Sequence, residues 1–199
     1  MPKERPDLLD SLVGTILSQN TTDTNSRRAF HALKAALPSW GEVLASDPQV
    51  MIDAIRCGGL AEIKTGRVMV ILRQLVEEDR VDASGAPSLD YLWALPTAKA
   101  KKEIVRFNGV GPKTAACVLM FAMRRPEFPV DTHVWKIALK MGWTPASATR
   151  ETAYEHLMRR VPAELMFDLH CLLVEHGKRE KNSLGCLAAV KRGGAKAGR

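Results

Sequence analysis

Hydrophobic side chains recur along the chain at helical spacing, and no convincing run of alternating β-branched residues appears. That pattern predicts helices and no sheet. Leu8, Leu9, Leu12 and Ile16 form one stripe ending near Leu17, where Ser18-Gln19-Asn20-Thr21-Thr22-Asp23 supplies residues that favour caps and turns. A second helix is expected from about Thr24 to Ala36, closed by Pro38. A third should run from Asp47-Pro48 to Arg56 and stop at Cys57-Gly58-Gly59, because glycine provides the left-handed conformation of many helix ends. Ile63 to Glu78 reads as a long amphipathic helix, followed by a polar loop from Asp79 to Leu89. Short helices around Leu89 to Leu95 and Ala98 to Arg106 lead to Asn108-Gly109-Val110-Gly111-Pro112, after which an apolar helix is expected from Lys113 to Met123.

The next segment, Arg124-Arg125-Pro126-Glu127-Phe128-Pro129, cannot be helical throughout, since its two prolines remove donors and push their predecessors toward extended geometry. It marks the expected domain hinge. Helices from Thr132 to Met141, Ala148 to Arg160 and Pro162 to Gly177 complete the pattern. The expected organisation is all-α, with one helical lobe over residues 1–126, a second over 127–185 and a mobile basic tail over 186–199. No internal repeat of solenoid length is present.

Composition narrows the class. With 199 residues, 46% hydrophobic and 26% charged, the chain is globular rather than disordered or collagen-like. Its most continuous apolar run, Ala115 to Met123, falls far short of the roughly 20 residues of a bilayer span. The N-terminal residues lack a signal-peptide pattern, so a soluble intracellular protein is expected. Cys57, Cys117, Cys171 and Cys186 show no CxxC pairing, which makes free thiols the default. The net charge is +7, with basic clusters at 99–102, 124–125, 159–160, 178–181 and 191–199. Such clusters suit polyanionic partners, although solvated helix faces look the same.

Chemistry concentrates in three places. At Gly109-Val110-Gly111 two glycines let the backbone approach a phosphate closely, and the free N–H groups of the following helix attract the anion. An ordinary turn between helices would also use these residues. Lys113 sits in the first turn of that helix, where the helix end and partial burial would each disfavour its ammonium form. A neutral amine can attack an electrophilic carbon and form a Schiff base, whereas a lysine at a helix start is more commonly a surface residue. Asp131 precedes an apolar-periodic helix and suits an N-cap, and a carboxylate fixed there can also stabilise developing positive charge. His133, two residues on, suits either a cleft wall or a packing role.

Taken together, the Leu17-Ser18-Gln19-Asn20-Thr21-Thr22-Asp23 loop, the Gly109-Val110-Gly111-Pro112-Lys113-Thr114-Ala115 hairpin and Pro129-Val130-Asp131-Thr132-His133 resemble, in order and spacing, the signatures of helix-hairpin-helix DNA glycosylases of the endonuclease III branch. The resemblance spans roughly residues 7–178. It implies two all-α lobes with a DNA-binding cleft between them, and a monomer acting on duplex DNA that carries a modified base or abasic site. In that family a flipped nucleotide is attacked at C1′. Lys113 would be the nucleophile and Asp131 the carboxylate that stabilises the cationic sugar. Retention of a lysine at 113 implies base removal followed by β-elimination. Gly109, Val110, Gly111 and Thr114 would contact DNA, Asn20 would fill the gap left by the flipped base, Leu60 would be the inserting wedge, and His133 would line the lesion pocket.

Many relatives hold a [4Fe–4S] cluster with four C-terminal cysteines after a segment like His176-Gly177-Lys178, but here only Cys186 follows it. No cluster and no metal are expected. The region Phe128 to Val134 with Met141-Gly142-Trp143-Thr144-Pro145 also looks similar to the catalytic region of plant 5-methylcytosine DNA glycosylases. Two other readings fit the same residues: a glycosylase-like module that binds abasic or distorted DNA with little or no turnover, and a helical interaction protein unrelated to DNA.

Overall fold

The computed structural model describes residues 5–179. Its helices are α1 (Leu8–Leu17), α2 (Asp23–Ala36), α3 (Trp40–Ala45), α4 (Pro48–Ile55), α5 (Ala61–Glu77), α6 (Thr97–Val105), α7 (Pro112–Cys117), α8 (Thr132–Met141), α9 (Arg150–Met158) and α10 (Met166–Arg179). Among the described residues there is no strand, only one isolated antiparallel bridge between Val81 and Pro87 in the polar loop. No helix there is long and apolar enough to cross a membrane.

The chain separates into two compact units, Met1–Arg124 and Arg125–Arg199. The division falls two residues before the 126/127 boundary read from the prolines, at Arg124, whose φ of 54° is left-handed. The expected tail over 186–199 lies outside the described residues.

The first unit is organised by α1, whose Leu8, Leu9, Leu12, Val13, Ile16 and Leu17 are all fully buried. Asp7 caps it, accepting from the amides of Leu9 and Asp10. Around α1 pack Val68, Ile71, Leu72 and Leu75 of α5, Ala29 and Leu33 of α2, and the apolar residues following the hairpin. The sequence reading passed over α3, although Ser39-Trp40-Gly41-Glu42 carries the signature of a capping box, and both reciprocal bonds form.

The expected helix from Lys113 to Met123 is also interrupted. After Cys117 the backbone widens to a π-helix over Val118–Ala122, closed by the Met123 amide on the Val118 carbonyl at 3.2 Å. This segment is apolar throughout, and the wider turn lets Val118, Leu119, Met120 and Ala122 all be buried.

In the second unit, Phe128, Val130, Val134, Ile137, Ala138, Leu157 and Leu173 form a separate core. The buried Glu127 carboxylate accepts from the Tyr154 hydroxyl at 2.7 Å, and burial, then this bond, pushes the phenol up from its ordinary value.

Candidate active site

The hairpin between α6 and α7 is set by its side chains on one face and by its glycines on the other. Phe107 and Val110 are buried in the first unit's core and anchor the turn. Gly109 adopts a φ of 79°, which the tight reversal requires and which an L side chain rarely accepts. Gly111 is the N-cap of α7 in extended conformation, with nothing within 4 Å of the position a Cβ would take. Pro112 fills the first helical position, where its missing N–H costs nothing. The first internal bond of α7 runs from the Ala115 amide to the Gly111 carbonyl, so the amides before it are oriented outward along the helix axis.

Lys113 is exposed in the first turn of α7. This corrects the expectation of partial burial: the apolar run begins one residue later, with Thr114, and leaves Lys113 on the outer side of the turn. Two expected DNA contacts are narrowed as well. The Thr114 side chain is buried and accepts from Gln19 Nε2 at a long 3.5 Å, so it faces its own unit and leaves the outward amide as the part of Thr114 open to DNA. Val110 is buried and its amide donates to the Phe107 carbonyl at 3.1 Å, which leaves neither side chain nor N–H for a phosphate.

Asn20 and Leu60 both stand exposed on left-handed backbone, each with a φ of 53°. Asparagine tolerates that region better than most residues, which accounts locally for Asn20. Leucine does not. Leu60 bears roughly 1–2 kcal/mol of backbone strain, leaves a large apolar side chain 48% exposed, and makes no side-chain cap for α5. Strain combined with apolar exposure is characteristic of a residue shaped for a partner.

Three further residues, missed by the sequence reading, tie these pieces together. Arg67 of α5 donates from Nη1 to Gln19 Oε1 at 3.0 Å, while its aliphatic arm lies against Gly109. Gln19 in turn reaches Thr114 beside Lys113. Lys64 is 1% exposed, and its ammonium donates to the carbonyls of Leu17 at 2.8 Å and Gly58 at 2.9 Å. Burial, then the charge of Arg67, lowers the Lys64 pKa from its ordinary value. The signal for Lys64 was present: it lies four residues before Val68 and eight before Leu72, on the buried stripe of α5.

In the second unit, Asp131 caps α8, one carboxylate oxygen accepting from the Val134 amide at 2.8 Å. His133 packs against Gly177 of α10 so closely that a Cβ there would lie 2.6 Å from the imidazole. That contact gives the ring a packing role, the alternative to a pocket wall that the sequence allowed.

A family model described as HhH-GPD superfamily base excision DNA repair protein matches residues 13–163. The chain belongs to the HhH-GPD superfamily. Among relatives, it is 49% identical over 175 residues to a protein of Arabidopsis thaliana provisionally named a DNA glycosylase, covering 88% of this chain and 58% of that protein. It is 31% identical over 168 residues to endonuclease III of Thermotoga maritima, covering 84% of this chain and 72% of the relative. A structure described as a trapped endonuclease III–DNA covalent intermediate superposes with a TM-score of 0.70 at 21% identity, over 86% of this chain and 74% of the other, which establishes the shared all-α fold.

For this HhH-GPD protein an iron–sulfur cluster would need four thiolates. Cys57 donates to the Asn25 carbonyl at 3.9 Å in the first unit, Cys117 is buried in α7, and Cys171 lies on α10 in the second unit. Among the described residues no three His, Cys, Asp or Glu side chains gather as a metal site. Those residues do not fit such a cluster.

Proposed function

We propose that this HhH-GPD protein is a bifunctional DNA glycosylase and abasic-site lyase acting on a modified pyrimidine extruded from duplex DNA. The observation that carries the reading is the placement of Lys113: an exposed amine in the first turn of the helix that follows the glycine hairpin, next to backbone suited to a phosphate. The names of its relatives, a DNA glycosylase and an endonuclease III, and the covalent protein–DNA complex of its structural neighbour support the same chemistry.

In this mechanism the hairpin grips the strand through backbone at Gly109 and Gly111, while Leu60 and Asn20 enter the duplex and occupy the space of the extruded nucleoside. The Lys113 amine attacks C1′, the C1′–N bond breaks, and the departing base takes a proton. Opening of the sugar leaves an iminium ion between Nζ and C1′. Loss of a proton from C2′ then expels the 3′-phosphate by β-elimination, and water releases the nicked product and regenerates the amine. Asp131 stabilises the cationic sugar. Lys113 is exposed on its own unit rather than enclosed by it. That exposure favours a second reading, in which the protein binds abasic or distorted DNA with little or no turnover.

Borohydride reduction decides between them. Duplexes carrying thymine glycol, 5-hydroxycytosine, 5-methylcytosine, uracil or an abasic site are incubated with and without the reductant. A covalent adduct that disappears in Lys113→Ala is the expected result. Tight, salt-dependent binding without adduct or strand cleavage on every duplex selects the binding module.

A further inference from the structure

We propose that Lys64 is a positioning residue that locks the two DNA-entering segments, the Ser18–Thr22 loop and the Gly59-Leu60 turn, into one rigid inserting unit. The inference rests on the reading of Asn20 and Leu60 as the residues that enter the duplex.

The geometry is specific. Leu17 is the last residue of α1, and its carbonyl is among those a helix end leaves without an internal partner. Gly58 closes the short 3-10 turn over Arg56–Gly58 that precedes Leu60. Each carbonyl therefore lies at the base of one of the two segments, three residues before Asn20 and two before Leu60. A single buried ammonium donates to both. It also sits at the negative end of the α1 dipole, which favours a cation there.

Neither partner is a carboxylate, so the desolvation of Lys64 is offset by carbonyl bonds alone. Stability by itself does not call for a lysine here, because burying a cation is costly and an apolar side chain of similar length fits a core stripe more cheaply. What the lysine adds is a cross-link. Its Nζ joins chain positions 47 and 6 residues away in sequence. The adjoining Arg67 to Gln19 bond braces the same loop from the next turn of α5. Asn20 and Leu60 would otherwise each have to be ordered separately on left-handed backbone as DNA binds, and prior rigidity removes that cost from the insertion step.

Lys64→Met keeps the length and removes the donors. Two quantities are compared with the wild type: the ratio of affinities for a duplex holding a tetrahydrofuran abasic analogue and for the same duplex undamaged, and borohydride trapping on an abasic site in duplex and in single-stranded DNA. Opposite the analogue, 2-aminopurine fluorescence reports unstacking. The expected result is about a tenfold loss of abasic preference and of the fluorescence rise, with undamaged-duplex affinity within twofold and single-stranded trapping unchanged, since no insertion is needed there. A merely structural residue would lower duplex and single-stranded trapping together, and that outcome, or unchanged abasic preference, overturns the proposal. If Lys64→Met does not fold, the wild-type background decides: Leu60→Ala and Asn20→Ala combined should cost far less than the product of their separate losses, and multiplicative losses overturn it. Absence of any adduct with wild type instead removes the lyase reading, while the affinity ratio still tests Lys64.

Discussion

The aliphatic arm of Arg67 fills the space that a Cβ on Gly109 would need, with Cδ 2.6 Å and Nε 2.7 Å from that position. Together with the left-handed φ of 79°, this makes Gly109 intolerant of any side chain for reasons internal to the protein. Gly111 differs, with open space around it and an ordinary φ of −90°. Gly109→Ala should therefore lose roughly 1–3 kcal/mol of stability as well as DNA affinity. Gly111→Ala should melt like the wild type and lose affinity alone, by crowding the phosphate. Thermal denaturation and fluorescence anisotropy on a labelled duplex separate the two, and equal affinity in Gly111→Ala would mean that the hairpin does not grip DNA.

Because Lys113 is exposed, Lys113→Ala should change stability by less than about 0.5 kcal/mol. It should still reduce borohydride trapping at least about a thousandfold. Gel analysis of the adduct alongside a melting curve checks both halves of the expectation.

Asp131 allows a cap to be distinguished from a charge. Asparagine caps as well as aspartate, so Asp131→Asn should retain stability while turnover falls under single-turnover conditions. Asp131→Ala should lose about 1 kcal/mol in addition, as the Val134 amide goes unpaired. Unchanged turnover in Asp131→Asn would reduce the residue to its capping role.

Glu78, just past the end of α5, pairs with Arg106 at the end of α6, immediately before the hairpin. The Arg106 bonds, then Gln74, hold the Glu78 carboxyl at about 2 from an ordinary 4.5. A group depressed in the folded state stabilises fully above its unfolded value and stops doing so as pH falls through the folded one. The contribution should be complete above about 4.5 and lost toward 2. Both side chains are about one-third exposed, so it amounts to about 1 kcal/mol or less. Urea midpoints of wild type and Glu78→Gln should differ near pH 6, draw together below pH 4 and converge only toward pH 2.

Much of this was legible in sequence because helices announce themselves by period and by cap. The stripe of α1, the Asp131 cap of α8 and the Gly109 reversal follow from local rules that tertiary contacts did not override. Features that depend on what another segment supplies were not legible. The burial of Lys64 depends on carbonyls from two other elements, and the burial of Thr114 depends on which side of α7 faces α1. Lys113 and Thr114 are adjacent in sequence, yet one is solvated and the other enclosed. The π-helical turn arises from a run so uniformly apolar that period alone gives it no preferred face.

That turn also sets the bearing of the chain beyond the helix of the candidate nucleophile. One extra residue of arc shifts everything beyond it by about 100° relative to an unbroken helix, so Phe121 emerges toward solvent while its neighbours stay enclosed. Deleting a single residue between Val118 and Ala122 would restore regular winding, but the core would then have to choose which half of the rod keeps its azimuth. The half that carries residue 113 is pinned by the buried Phe107, Val110 and Thr114, so the rotation would fall on the other, and a one-residue deletion would change the heading with which the chain leaves the first unit at Arg124.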